Sequence, residues 1–96
     1  MTNVRESCVE SPFEEARTPL EASITRILAD ILEIDRIGRT DSFYDFGGTS
    51  LQAIRVCARI ETEAGYRVMP AWLLESDVVA DFAERVERQG PATHGA

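Results

Sequence analysis

The sequence predicts an all-α bundle of three substantial helices and one short one, and three observations carry that prediction. Apolar residues recur at helical spacing in three separate segments, and helix-starting and helix-ending residues flank them. Nowhere do apolar and polar residues alternate as convincingly as in a strand. At 96 residues, with 44% hydrophobic and 7% aromatic side chains, the chain is one domain with a small, mostly aliphatic core, too short for a two-domain enzyme.

Residues 1–17 show no sustained periodicity, carry scattered Glu and contain Pro12, so they are expected to form a flexible arm, with Phe13 available to touch the domain. The folded unit begins at Thr18. Thr18-Pro19-Leu20-Glu21 places a capping threonine, a proline at the first helical position and a glutamate three residues past the cap. Leu20, Ile24, Ile27, Leu28, Ile31, Leu32 and Ile34 then share one side of a helix over 19–34, with Ala22, Arg26, Ala29 and Glu33 opposite. The helical period stops between Asp35 and Thr49, a long connection with Ile37, Phe43 and Phe46 as apolar anchors. A second helix follows over 50–64, ended by Gly65 in a left-handed cap. Pro70 opens a short turn through Leu74. Ser76 or Asp77 is expected to cap the last helix, on which Val78, Val79, Phe82 and Val86 share a face. The folded unit spans 18–88, and 89–96 are expected to be a disordered tail.

Charge and composition exclude several functions. Seventeen acidic against ten basic residues give −7, all ten basic residues are Arg, and an acidic domain without a basic stripe repels a phosphate backbone, so no nucleic-acid partner is expected. The lone histidine, His94, lies in the tail and argues against a Ser-His-Asp triad. Cys8 and Cys57 stand apart in no metal-binding or redox pattern. No apolar stretch approaches a membrane span, and the start MTNVRESCVE is unlike a signal peptide. A monomeric, cytoplasmic protein with neither membrane nor metal partner is the expectation.

The most informative segment is Asp41-Ser42-Phe43-Tyr44-Asp45-Phe46-Gly47-Gly48-Thr49-Ser50-Leu51, where a loop with two glycines delivers a serine to a helix start. Thr49 and Gln52 have capping-box spacing, which frees the Ser50 hydroxyl at the first helical position. Gly47 and Gly48 permit unusual backbone angles and remove bulk beside that hydroxyl. A phosphate ester there gains from the helix dipole and from unpaired backbone N–H groups. The plain alternative is a turn made by the glycines and a helix capped by the serine. Three sharper readings fail on the letters. A P-loop needs a Lys, and the chain has none; a nucleophile elbow needs Gly where Gln52 stands; a calcium loop over 41–52 puts Phe46 at its glycine and Gln52 at its glutamate.

The segment DSFYDFGGTSL resembles the phosphopantetheine attachment motif of acyl-carrier-protein-like domains, specifically the peptidyl carrier (thiolation) domains of nonribosomal peptide synthetases. It meets the pattern D-x-F-[FY]-x-L-G-G-x-S-L except at Phe46, where leucine is usual. The resemblance covers 18–88, with a second departure at Glu75-Ser76-Asp77-Val78 where the family often has a Pro-Thr cap. It implies a carrier that is not an enzyme. Ser50 would receive 4′-phosphopantetheine from coenzyme A through a phosphopantetheinyl transferase, with Gly47, Gly48 and Thr49 as the supporting loop. The arm's thiol would hold an aminoacyl or peptidyl thioester for an adenylation enzyme, condensation or other tailoring enzymes and a thioesterase. Thr49 before Ser50, preceded by two glycines, favours this peptidyl type over acyl carriers of polyketide or fatty-acid type. An aryl carrier and an unmodified helical interaction module are the other readings. The starting Met and the two tails fit a free-standing carrier, and an excised domain fits them as well.

The second helix has two apolar arcs. Ala53, Val56, Cys57, Ile60 and Ala64 form the wider, assigned to the core; Leu51, Ile54 and Ala58 form a narrower one beside Ser50, assigned to partner docking together with Asp45. Leu51 has the alternative of packing under the loop against Phe43 or Phe46. Arg55, Arg59, Thr62 and Glu63 read as a solvated stripe, Asp41 as either a partner contact or an acceptor for loop amides, and Trp72 and Leu74 as cover for the core.

Overall fold

The described residues form four α-helices: α1 (Pro19–Leu32), α2 (Ser50–Ala64), α3 (Pro70–Glu75) and α4 (Val79–Gln89). The computed structural model describes residues 3–89. Helix α1 packs against both α2 and α4, and the short α3 lies between α2 and α4. Among the described residues the only β-type pairings are isolated bridges, Asn3 with Ile34 and Ser42 with Val78. Gln89, the first residue of the expected tail, ends α4; positions 90–96, including His94, lie outside the described residues.

The periodic apolar residues build the core as the helical spacing dictates. Leu20, Ile24, Ile27, Leu28 and Leu32 of α1 are buried against Ala53, Val56, Cys57 and Ile60 of α2, with Leu73, Val79, Phe82 and Val86 closing the other side. Ile37 and Phe43 from the loop complete it, while Phe46, Trp72 and Leu74 pack on its margin. The loop therefore contributes core as well as connection, which a domain this small requires.

Two helix ends differ from expectation. Helix α1 stops at Leu32, two residues early, because Glu33 adopts a left-handed conformation at φ 58°. The Glu33 and Ile34 N–H groups both donate to the Ala29 carbonyl, and the reversed chain tucks Ile34 back into the core at 4% exposure. Apolar periodicity at Ile34 mimics a helical residue without being one. At α4, backbone rather than side chain caps the start: Val79 N–H donates to the Asp41 carbonyl at 3.0 Å and Ala80 N–H to the Arg39 carbonyl at 2.8 Å. The Asp77 carboxylate instead accepts from the Ser42 hydroxyl.

The largest departure is at the amino terminus. Residues 3–17, expected to be a flexible arm, pack against the connection that follows α1, with Arg5–Ser7 in a short 3-10 turn and Arg5 only 1% exposed. Burying a guanidinium needs paired, hydrogen-bonded partners. Asp41 supplies them, accepting from Arg5 Nε at 2.6 Å and from a terminal nitrogen at 2.7 Å.

Candidate site: a serine at the start of α2

Ser50 is the first residue of α2 and is exposed. Thr49 is the N-cap: its hydroxyl accepts from the Gln52 N–H at 3.2 Å, and the Gln52 side-chain oxygen accepts from the Thr49 N–H at 3.0 Å. With this reciprocal capping box in place, the Ser50 hydroxyl makes no hydrogen bond to any described residue. Ala53 N–H donates to the Thr49 carbonyl, so the Ser50 and Leu51 N–H groups are the ones left at the tip. The first turn of α2 contains no acidic residue to compete with an anion there.

The two glycines differ in purpose. Gly47 has φ 77°, a left-handed conformation that ends the 3-10 turn Tyr44–Phe46, and open space surrounds the position of its missing Cβ. Gly48 has an ordinary backbone, but a Cβ on it would lie 2.4 Å from the Phe43 ring. Its lack of a side chain therefore admits a buried ring from below instead of clearing room beside the hydroxyl. Leu51 is 60% exposed and so does not take the alternative of packing under the loop against Phe43 or Phe46.

Ser50 thus stands among Leu51, Ile54 (54% exposed) and Ala58, all on the solvent side of α2, while Asp45 is exposed in the preceding turn. Asp41 is turned inward and serves the loop, accepting from the Gly38 N–H at 2.8 Å as well as from Arg5. Cys57 is buried, and burial pushes its thiol up to about 12, so it is an inert packing residue. Arg59 and Glu63 do more than face solvent. Arg59 pairs with Asp30 of α1 at 3.2 Å and with Glu63 at 2.8 Å, and Glu63 also takes Arg26 of α1 at 2.9 Å. Sequence reasoning missed the exposed Tyr44, whose hydroxyl donates to the Leu74 carbonyl at 2.9 Å, and the exposed Met69. Neither belongs to a periodic segment, so no amphipathic pattern marks them. No three metal-binding side chains are grouped among the described residues.

The family model described as the phosphopantetheine attachment site matches residues 22–86. The chain belongs to this family. Members carry 4′-phosphopantetheine covalently, and the matched residues form a carrier domain. Malpinin synthetase of Mortierella alpina is 36% identical over 78 residues, which cover 81% of this chain and 1% of that protein. The carrier thus spans a very small part of the curated relatives it matches. Solved structures are similar over most of their own length, and two of them share about 30% of their residues with this chain. One is a nonribosomal peptidyl carrier domain, 30% identical with a TM-score of 0.70, covering 74% of this chain and 91% of that one. The other is BlmI, a type-II acyl carrier protein from Streptomyces verticillus involved in bleomycin biosynthesis, 32% identical with a TM-score of 0.67, covering 72% and 83%. No helix among the described residues of this carrier is long and apolar enough to cross a membrane.

Proposed function

We propose that Ser50 is the attachment point of the phosphopantetheine arm and that the chain is a peptidyl carrier of nonribosomal peptide biosynthesis. The observation that carries this reading is the exposed, uncommitted Ser50 hydroxyl at the first position of α2, relieved of capping by Thr49 and Gln52. The residues fit the group: a phosphodiester on Ser50 lies at the positive end of a 15-residue helix, next to unpaired backbone N–H groups. A phosphopantetheinyl transferase would bring coenzyme A to Ser50. The Ser50 Oγ–phosphorus bond forms as the bond to adenosine 3′,5′-bisphosphate breaks, and the hydroxyl proton leaves through the transferase. Once attached, the arm supplies a thiol that holds an aminoacyl or peptidyl group as a thioester, raising its effective concentration at each partner.

The resemblance of the whole segment to synthetase carrier domains supports the peptidyl type. The exposed flank of Leu51, Ile54 and Ala58, with Asp45 beside it, is the surface we assign to the transferase, the adenylation enzyme, condensation or tailoring enzymes and a thioesterase. A monomer suits a shuttle that enters several active sites in turn. We assign it to the cytoplasm, where coenzyme A is available and Cys8 and Cys57 stay reduced.

Intact-mass measurement after incubation with coenzyme A and a phosphopantetheinyl transferase should show one added arm on the full chain and none on Ser50→Ala. An unchanged wild-type mass with several transferases, or an arm retained by Ser50→Ala, contradicts the assignment.

A further inference from the structure

The amino-terminal segment is laced to the connection that delivers Ser50. At its start, Asn3 N–H donates to the Glu33 carbonyl at 2.6 Å and Asp35 N–H donates to the Asn3 carbonyl at 2.8 Å, extending one strand-like rung onto the end of α1. Arg5 N–H donates to the Asp35 carboxylate at 2.7 Å. The Arg5 guanidinium then grips both Asp41 oxygens and donates to the Ser11 and Pro12 carbonyls at 3.0 and 3.2 Å, so one buried cation ties two stretches of its own segment to the loop. Phe13 is stacked by Arg36 from the loop at 4.1 Å, with Arg5 at 5.5 Å. Further on, Arg39 N–H donates to the Glu14 carbonyl at 2.8 Å. Gly38 has no room for a side chain there, since a Cβ would lie 2.6 Å from that same carbonyl.

Asp41 is where these contacts converge on the site. Its carboxylate also holds the Gly38 N–H, and its carbonyl caps α4 through Val79. Two residues on, Phe43 N–H donates to the Asp77 carbonyl at 2.8 Å, and the Phe43 carbonyl accepts from the Gly48 N–H at 3.1 Å, with the Phe43 ring lying under Gly48. Thr49 and Ser50 follow directly. A path therefore runs from Arg5 to the buried Asp41 carboxylate, along the backbone through Ser42 to the buried Phe43, and from Phe43 to Gly48 in the glycine pair that aims Ser50.

We propose that Arg5 is a positioning residue for modification of Ser50: by clamping Asp41 it holds the connection over 38–48 in the one arrangement that presents the serine to a transferase. The inference rests on the assignment of Ser50 made above. Arginine is suited to the task because its planar fork meets both carboxylate oxygens at once, which a lysine ammonium does not. Uncoupled from Arg5, Asp41 is a buried carboxylate short of a partner and draws water into the loop.

The test compares the full chain with Arg5→Met and Arg5→Lys. Transfer from coenzyme A is measured by initial rate, and backbone amide exchange is read at Gly38 and Gly48 against Ile60 and Val86 in the helices. Arg5→Met is expected to lower kcat/KM for modification about tenfold, the scale of a modest misplacement of a reacting group. Exchange should speed up at Gly38 and Gly48 with Ile60 and Val86 still protected, and Arg5→Lys should fall between. Should Arg5→Met lose its helical circular dichroism, the same two readouts on Arg5→Lys decide. Unchanged rates, or a slower rate without faster exchange at Gly38 and Gly48, overturn the positioning role while leaving Ser50 as the acceptor. A wild-type chain that takes no arm overturns the Ser50 assignment, and this inference with it.

Discussion

At the residue scale, the loop that leads to Ser50 is controlled by what its glycines lack. Gly47 lacks a Cβ that would strain a backbone at φ 77°, and Gly48 lacks one that would collide with Phe43. Phe43 cannot step aside, since it is 1% exposed and belongs to the core. Gly48→Ala is therefore expected to cost about 1–3 kcal/mol, the usual penalty of overpacking. Urea unfolding would register it as a lower midpoint with an unchanged slope. An unaltered midpoint would show that the Phe43 ring does not bear on Gly48. The adjacent glycines were legible in the sequence as a turn, but the division of labour between them was not, because it depends on a ring five residues away from one of them.

At the element scale, both α1 and α4 begin on contacts with the long loop. Thr18 caps α1 through the Glu21 N–H at 3.0 Å, but the Glu21 carboxylate reaches past Thr18 to accept from the Arg17 N–H at 2.9 Å. It is also gripped by Arg39 at 2.9 and 3.2 Å. The Arg39 hydrogen bonds hold the Glu21 carboxyl below the ordinary glutamate range, against a desolvation that alone would raise it. Its unfolded form thus binds a proton more readily than its folded form. The pair's contribution is complete above the unfolded value of about 4.3 and is lost as pH falls below it toward the depressed folded value. Chemical denaturation from pH 7 to pH 3 should therefore show an acid decline in stability that Glu21→Gln makes shallower. An equally steep decline in the variant would assign the loss elsewhere, for example to Glu63, whose more exposed pairs with Arg59 and Arg26 are worth less.

At the scale of the whole molecule, a net charge of −7 surrounds one exposed apolar flank on α2. The charge favours encounter with basic partner surfaces, and a phosphodiester on Ser50, as proposed, would add roughly one more negative charge. We propose the flank as the place for short-range fit. Ile54 is 54% exposed, so Ile54→Glu should shift stability by no more than about 0.5 kcal/mol while slowing modification or loading by a partner enzyme. Circular dichroism and a transferase rate measured on the same sample separate the two effects. A large loss of helix content would return Ile54 to the core. The small size that leaves room for a single helical core is also what a shuttle needs to enter several active sites.

The amino-acid sequence by itself determined the helices, the capping box of α2 and the division of α2 into a buried and an exposed arc. Each of these depends on neighbours within four residues, where helical period and hydrogen-bond geometry leave few choices. It also exposed the segment DSFYDFGGTSL, whose parts are contiguous. Tertiary structure alone decided the early end of α1 at Glu33, a non-glycine residue in a left-handed conformation, and the capping of α4 by the Asp41 and Arg39 carbonyls. It alone decided the fate of Arg5. In a polar, aperiodic segment an arginine reads as a solvated charge, and only a carboxylate 36 residues later in the chain, brought to 2.6 Å by the fold, makes it the buried clamp of the loop.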